Sequence, residues 1–464
     1  MTSLYEEKKV VRFWMDVVAR EDVMVTENGE PVRILYPGRP VDDRGPDFCD
    51  AVILTGSGIR RGSIEVHVKS GDWKRHGHHR DPVYNNVILH VFLEEDSYLH
   101  ARQAGGDIIP AVCLKNLDRM TSPDRFTLPC AHVACIFSKK VESFLLEMGK
   151  VRFLEKVSYF QREIEVGSAD EVLYQGIASA LGYRKNREAL QTLAQMVTFK
   201  ELQEIVSRSA DDAWCRNRLV SLLLGTAGLL PSQRGIRLEK GEDREYVVFL
   251  EYLWKQVDCR STMSSEFWRR IKVRPLNHPV RRIVALAFLV GRYGREGLVS
   301  LLLRSINKTG KIVIEDLVRY LLVDSLGYWL YHYDFGKRSP VGIPSLVGRD
   351  RAGIILINVI LPFLAALNSY NIQKEVEAVF SSFTGVGSNA IEKHMIHQLG
   401  MSGRSVKKAC IQQGLLHVYK TMCIQGKCNE CLLNPAVGYL NQEGISSILS
   451  PATTSRSSPA NLPA

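Results

Sequence analysis

The stretch Gly62-Ser63-Ile64-Glu65-Val66-His67-Val68-Lys69-Ser70-Gly71-Asp72-Trp73 alternates apolar and polar residues with period two. Successive side chains of an extended strand leave opposite faces. Ile64, Val66 and Val68 therefore form one apolar face, which needs a core to cover it. Ser63, Glu65, His67 and Lys69 share the other face. That face stacks a carboxylate, an imidazole and an ammonium, a row that a solvated antiparallel strand also carries. The neighbourhood weighs towards a site. Gly45-Pro46-Asp47-Phe48 opens another apolar run upstream, and His76-Gly77-His78-His79-Arg80-Asp81-Pro82 follows downstream.

Further out, the first 115 or so residues read as α+β. Leu4–Val18 places Val10, Val11, Phe13, Trp14, Val17 and Val18 at helical spacing. Short β-like runs follow at Pro31–Tyr36, Phe48–Leu54, Ser63–Lys69 and Val87–Leu93, with Gly- and Pro-containing turn clusters between them. From about Val141 to Tyr419 the pattern changes to helical segments: Val141–Arg162, Asp170–Leu181, Arg187–Met196, Asp211–Leu224, Val280–Tyr293, Val313–Leu330 and Ile354–Leu367. No repeat period emerges. The expected layout is an α+β domain over residues 1–135, a mostly α-helical domain over 136–445, and a Ser/Pro/Ala/Thr-rich tail over 446–464 that reads as disordered.

Composition bounds the partners. Of 464 residues, 45% are hydrophobic and 24% charged, an ordinary globular mixture that excludes a fibrous chain or wholesale disorder. The net charge is +10, unevenly spread. Residues 1–100 hold 13 Lys+Arg against 17 Asp+Glu, and the remaining 364 hold 47 against 33. An acidic front can hold a cation, and a basic body can hold a polyanion such as nucleic acid. The charged start lacks the apolar core of a signal peptide, and no apolar run reaches membrane-spanning length. The expectation is a cytoplasmic protein with no membrane partner, whose ten cysteines are reduced thiols or metal ligands rather than disulfides. Oligomeric state is not legible.

The order of these residues resembles the PD-(D/E)xK nuclease core, a small mixed sheet with helices. There a helix precedes strands that present an Asp, then a second carboxylate, then a lysine two residues on. The resemblance implies that Asp47 and Glu65 bind Mg²⁺ or Mn²⁺ for metal-assisted phosphodiester chemistry. The position two beyond Glu65 is His67, and Lys69 lies two further. Either His67 orients the water, or Lys69 contacts a neighbouring phosphate. The catalytic candidates are thus Asp47, Glu65, His67 and Lys69. The loop His76–Asp81 offers a second reading, in which imidazoles with Asp72 or Asp81 hold Zn²⁺ or Mn²⁺. It also fits a surface loop whose aspartates serve turns. Trp73 and Tyr84 read as packing residues, and His90 as a core histidine or a further group facing the site.

Near the C-terminus, Cys423-x4-Cys428-x2-Cys431 has the spacing of half a zinc knuckle. His417 closes a structural Zn²⁺ site in the first reading. Cys410 is the alternative fourth ligand, for zinc or for an iron–sulfur cluster. The remaining cysteines, Cys130 among them, read as core thiols. In the middle of the chain Arg269, Arg270, Lys272, Arg274, Arg281 and Arg282 fall close together beside Trp268. They are the candidates for gripping a nucleic-acid backbone, and a charged helix end is the alternative.

Several blocks together are similar to an uncharacterised bacterial family, domain of unknown function 2851. They are Gly45–Phe48, Ile64–Trp73 with Asp81-Pro82 and Asn86–His90, Leu181–Arg187, Gly228–Pro231, Arg274–Pro279, and Gln413-Gly414 with His417, Tyr419 and the three cysteines. The similarity spans roughly residues 5–433 and implies no activity of its own. Three functions are therefore expected candidates: a metal-dependent nuclease, a non-catalytic nucleic-acid-binding or assembly protein on a degenerate nuclease fold, and a metal-dependent hydrolase of a small substrate.

Overall fold

The computed structural model describes the chain except residues 1, 19–22, 42–44, 98–99, 117–127, 238–241, 258–259, 272, 307–310, 368–369, 385, 403–405, 438–439 and 441–464. The tail expected over 446–464 lies outside the described residues, as does Lys272.

The chain is α+β and divides into two units. Of the described residues, the first contains those within 1–149, 388–406 and 411–440, and the second those within 150–387 and 407–410. The units therefore do not follow a boundary at 135/136, because a C-terminal segment returns to the first unit.

In the first unit, helix α1 (Thr2–Val18) precedes a seven-stranded sheet. Its strands are β1 (Met24–Val25), β2 (Pro31–Tyr36), β3 (Arg39–Pro40), β4 (Phe48–Thr55), β5 (Gly58–Lys69), β6 (Val87–Glu94) and β7 (Ala111–Cys113). The order is β1-β2-β4-β5-β6-β7, with β3 paired to β4. β2, β4 and β5 are antiparallel, whereas β6 and β7 run parallel to β5. The parallel step needs a crossover. Short helix α2 (Asp72–Arg75) and two 3₁₀ turns, His78–Arg80 and Pro82–Tyr84, supply it.

The alternation of β5 works as its residues dictate, except that both faces are covered. Ile64 and Val66 pack with Val10, Trp14 and Val17 of α1 and with Leu89 and Val91 of β6. The opposite face is not solvated, for Ser63, Glu65 and His67 are buried as well. Central position in a mixed sheet removes both faces from water. A one-residue bulge marks β4, where Phe48 pairs with Ile64 but Ala51 pairs with Gly62. Asp50 takes the left-handed backbone there, at φ 64°. Bulges re-aim side chains beside functional sites, and this one lies just after Asp47.

The same unit has a second core. Tyr36 and Val52 pack with Val141, Phe144 and Leu145 from helix α3 (Val133–Val166) and with Met395, Leu399, Ile411, Leu415 and Val418 from near the C-terminus.

The second unit is mostly helical. The sequence expectation holds at Ala169–Leu181, Arg187–Met196, Asp212–Thr226 and Pro279–Tyr293. It fails over Val313–Leu330, where the helix stops at Leu321 and a short strand, Val323–Asp324, follows. Beyond the stop, the Arg281 guanidinium donates to the Ser325 hydroxyl and to the carbonyls of Trp329 and His332, which gives this non-helical stretch the partners that a ladder would otherwise supply. Ile354–Leu367 is helical but widens to a π-turn over Leu356–Ile360, just ahead of Pro362, which has no N–H to donate. Among the described residues no helix is long and apolar enough to cross a membrane.

Candidate metal centre

Glu65 sits mid-strand on β5, and its carboxylate is held from one side only. Oε2 accepts from the Asp47 backbone N–H at 3.0 Å. In return Asp47 Oδ2 accepts from the Val66 N–H at 2.9 Å. The two carboxylates therefore clasp the β4–β5 junction reciprocally. Oε1 of Glu65 faces a group of imidazoles. His78 Nε2 lies 3.2 Å from it and His67 Nε2 3.5 Å, in neither case with hydrogen-bonding geometry.

Those two ring nitrogens are buried and have no hydrogen-bond partner. Buried polar atoms are normally satisfied, so two orphans converging on one carboxylate oxygen mark a place for a ligand. One ligand atom each from His67, His76 and His78 lie within 4.8 Å of one another. His76 is exposed and also stands 3.8 Å from Glu7 of α1.

The rings are set by their surroundings. His67 Nδ1 meets His90 Nε2 at 2.9 Å, both rings buried. With the proton on His67 Nδ1, the imidazole donates to His90 and its Nε2 lone pair is turned to the centre. Such outer hydrogen bonds orient metal-ligating histidines. His78 is stacked between Tyr84, centroids 3.8 Å apart, and His67, 5.2 Å apart. Trp73 packs edge-on against His67 and His78 and ties its indole N–H to the Arg102 carbonyl.

Burial dominates the electrostatics. Burial, then neighbouring Glu65, pushes the Asp47 carboxyl up to about 7. Burial raises Glu65 to about 8, with Glu7 adding to the effect. Burial also holds His67 and His78 below their ordinary values and His90 down at about 3. Carboxyls that resist ionising beside imidazoles that resist protonating leave room for a positive charge from elsewhere. Neutral imidazoles and a carboxylate oxygen are the donor set of Zn²⁺ or Mn²⁺ more than of Mg²⁺, which prefers oxygen. The imidazoles of His67, His76 and His78, with the Glu65 oxygen beside two of them, fit a divalent ion.

The structure brings Asp47, Glu65 and His67 together. It does not bring Lys69, which is exposed at the end of β5. Asp72 and Asp81 serve turns: Asp72 accepts from the Lys69 N–H and pairs with Arg75, and Asp81 caps the turn at Val83. Glu7 was not singled out from the sequence, and nothing in the helix pattern of α1 marks it.

The basic cluster divides. Arg269 and Arg274 are exposed, and Arg270 is half-buried. Arg281 and Arg282 are 0% and 5% exposed, which corrects their assignment as surface phosphate contacts. Arg281 donates to the carbonyls of Trp329, His332, Ile343 and Ser345, and Arg282 to the Leu346 carbonyl, the Asn277 amide oxygen and the Tyr183 hydroxyl. Guanidinium groups spent on backbone carbonyls are structural.

The chain belongs to the family described as protein of unknown function (DUF2851), whose model matches residues 7–389. That span includes every residue of the histidine–carboxylate centre. No curated protein and no solved structure matches the chain.

Proposed function

We propose that the protein is a metal-dependent phosphodiesterase acting on nucleic acid, with its centre at Glu65, His67, His76 and His78 and with Asp47 beside it. The observation that carries the reading is the pair of buried, unpartnered ring nitrogens, His67 Nε2 and His78 Nε2, meeting the free oxygen of Glu65. The arrangement of elements supports a nuclease-like core. Helix α1 precedes the antiparallel strands, Asp47 stands at the head of β4 and Glu65 on β5. A divalent ion bound there would polarise a phosphate oxygen and activate a water.

The chain's own groups do the rest. His67, in place of the nuclease lysine, contributes Nε2, its ring held through Nδ1 by His90. Asp47, anchored to the Val66 N–H, is the carboxyl placed to take a proton from a water at the centre. Trp73 and Tyr84 wall the rings from bulk water.

The test is incubation of the full-length protein with labelled single- and double-stranded DNA and RNA, with Mn²⁺, Zn²⁺ or Mg²⁺. Glu65→Gln and His78→Ala run beside it, and circular dichroism checks that both are folded. Cleavage that needs metal and is lost in both variants is the expected result. No cleavage by folded protein that demonstrably binds the metal at this centre would sink the nucleic-acid reading. The histidine where the nuclease pattern has lysine favours a second reading, hydrolysis of a small phosphoester, and a chromogenic phosphodiester in the same assay tests it.

A further inference from the structure

The first unit holds another cluster of metal-binding side chains, unconnected with the reading above. Cys423, Cys428 and Cys431 line one cavity, and the fourth sulfur there is that of Cys130. His417 and Cys410 are not among the lining residues, and Cys410 belongs to the second unit. The partner of the C-terminal trio comes from just before α3, 293 residues from Cys423 (423 minus 130).

All four are free thiols. Cys130, Cys423 and Cys431 are buried and Cys428 is half-buried. Yet donors are aimed at these sulfurs. The Gln398 side-chain N–H meets Cys130 Sγ at 3.2 Å and also reaches Cys423. The backbone N–H groups of Leu433 and Asn434 point at Cys431. Asn434 in turn donates to the Cys428 carbonyl at 3.1 Å, which fixes the turn between the last two cysteines. N–H donors directed at sulfur are the outer hydrogen bonds that metal-bound thiolates accept, and four thiolates gathered in one buried cavity would require a cation among them.

We propose that Cys130, Cys423, Cys428 and Cys431 form a closed tetrathiolate centre for a thiophilic metal, either one Zn²⁺ or an iron–sulfur cluster. Four protein sulfurs leave no open coordination position on a zinc ion, so in the zinc form the centre is structural. It staples the entry of α3 to the chain that follows the helix Ala409–Thr421, closing a very long loop.

The full-length protein, purified without chelator, is assayed for zinc, iron and acid-labile sulfide, and then exchanged with Co²⁺. Zinc at one per chain beyond that removed by His67→Ala/His78→Ala, with sulfur-to-cobalt charge-transfer absorption after exchange, identifies the zinc form. Iron with equivalent sulfide and a brown chromophore identifies the cluster. Cys130→Ser is expected to lose the metal and its absorption, whereas His417→Asn and Cys410→Ser keep both. If Cys130→Ser does not fold, alkylation mapped by mass spectrometry on the wild-type protein decides. The four cysteines should be protected until metal is stripped, while exposed Cys135 reacts at once. Absence of zinc, iron and cobalt binding at the thiols, retention of metal by folded Cys130→Ser, or alkylation of Cys130 while the other three stay protected would overturn the proposal.

Discussion

At the scale of single residues, His67 and His90 are the pair whose roles separate most cleanly. His67 has one nitrogen for the centre and one for His90, so His90 acts by holding the ring that acts. Removing such an outer partner typically costs 10–100-fold in metal affinity. His90→Leu is therefore expected to weaken Mn²⁺ or Zn²⁺ binding by about 10- to 100-fold, measured by competition with a chromophoric chelator. His90→Gln, which restores an acceptor, should recover part of the loss. Unchanged affinity in a folded His90→Leu would remove the positioning role. Lys69→Ala is the contrast. Exposed at the strand end, it should leave metal affinity within about twofold, because a surface side chain away from the ligands has little to contribute. Much of this was legible beforehand: period two placed Glu65 and His67 on one face, and the Gly-Pro turn set Asp47 apart. Which oxygen of Glu65 is free, and which imidazoles of the His76–Asp81 loop reach it, follow from how the crossover packs on β5. No local pattern encodes that.

At the scale of elements, buried cations and imidazoles hold irregular segments against the helices. The helix Pro279–Tyr293 carries Arg281 into a set of four carbonyls and one hydroxyl. Each carbonyl left unpaired costs about 1–3 kcal/mol. Arg281→Met should thus destabilise the protein by about 3 kcal/mol or more, read as a lower urea midpoint. Lys should rescue little, since it lacks the planar fork. A variant as stable as wild type but with weaker, less salt-dependent binding to nucleic acid would return Arg281 to the phosphate contacts.

His278, at the start of the same helix, gives a pH dependence. Burial holds it down at about 4, with Asp334 partly opposing. Burial also raises Asp334, but its pairing with Arg234 and His278 more than offsets this, and it ends below its ordinary value. The sign follows. Between about 6.5 and 4 the unfolded chain binds a proton at His278 that the folded chain refuses, so stability falls as pH falls through that window. The loss attributable to His278 approaches about 3 kcal/mol below it. Asp334 contributes only below the ordinary carboxylate range, outside the window. His278→Gln should flatten the curve of unfolding free energy between pH 6.5 and 4 relative to wild type, and parallel curves would exclude the assignment. The sequence showed these residues only as a basic cluster, because hydropathy assigns charged residues to the surface. It has no means of showing that a guanidinium has found enough carbonyls to be buried.

At the scale of the whole molecule, the folding unit is not a contiguous stretch. Hydrophobic periodicity marked where strands give way to helices, and a boundary near residue 135 followed from that change. The contacts place the described residues of 388–406 and 411–440 with the N-terminal sheet instead. Met395, Leu399, Ile411, Leu415 and Val418 are buried in one core with Tyr36, Val52, Val141, Phe144 and Leu145. Periodicity reports which face of a segment is apolar, not which distant segment covers it. The helix Ala409–Thr421 also approaches α3 closely, since a Cβ at Gly414 would collide with the Leu145 carbonyl oxygen. Five buried aliphatic side chains at about 1.5–3 kcal/mol each amount to roughly 7–15 kcal/mol. That matches the entire stability of a typical domain, about 5–15 kcal/mol. A fragment of residues 1–149 produced alone should therefore lack a cooperative urea transition and lack near-ultraviolet circular dichroism. Co-production with residues 388–455 should restore both, because that segment returns the missing half of the core. A sharp transition from the 1–149 fragment by itself would mean that the sheet and α1 are self-sufficient, and that the C-terminal segment covers an already folded surface rather than completing it.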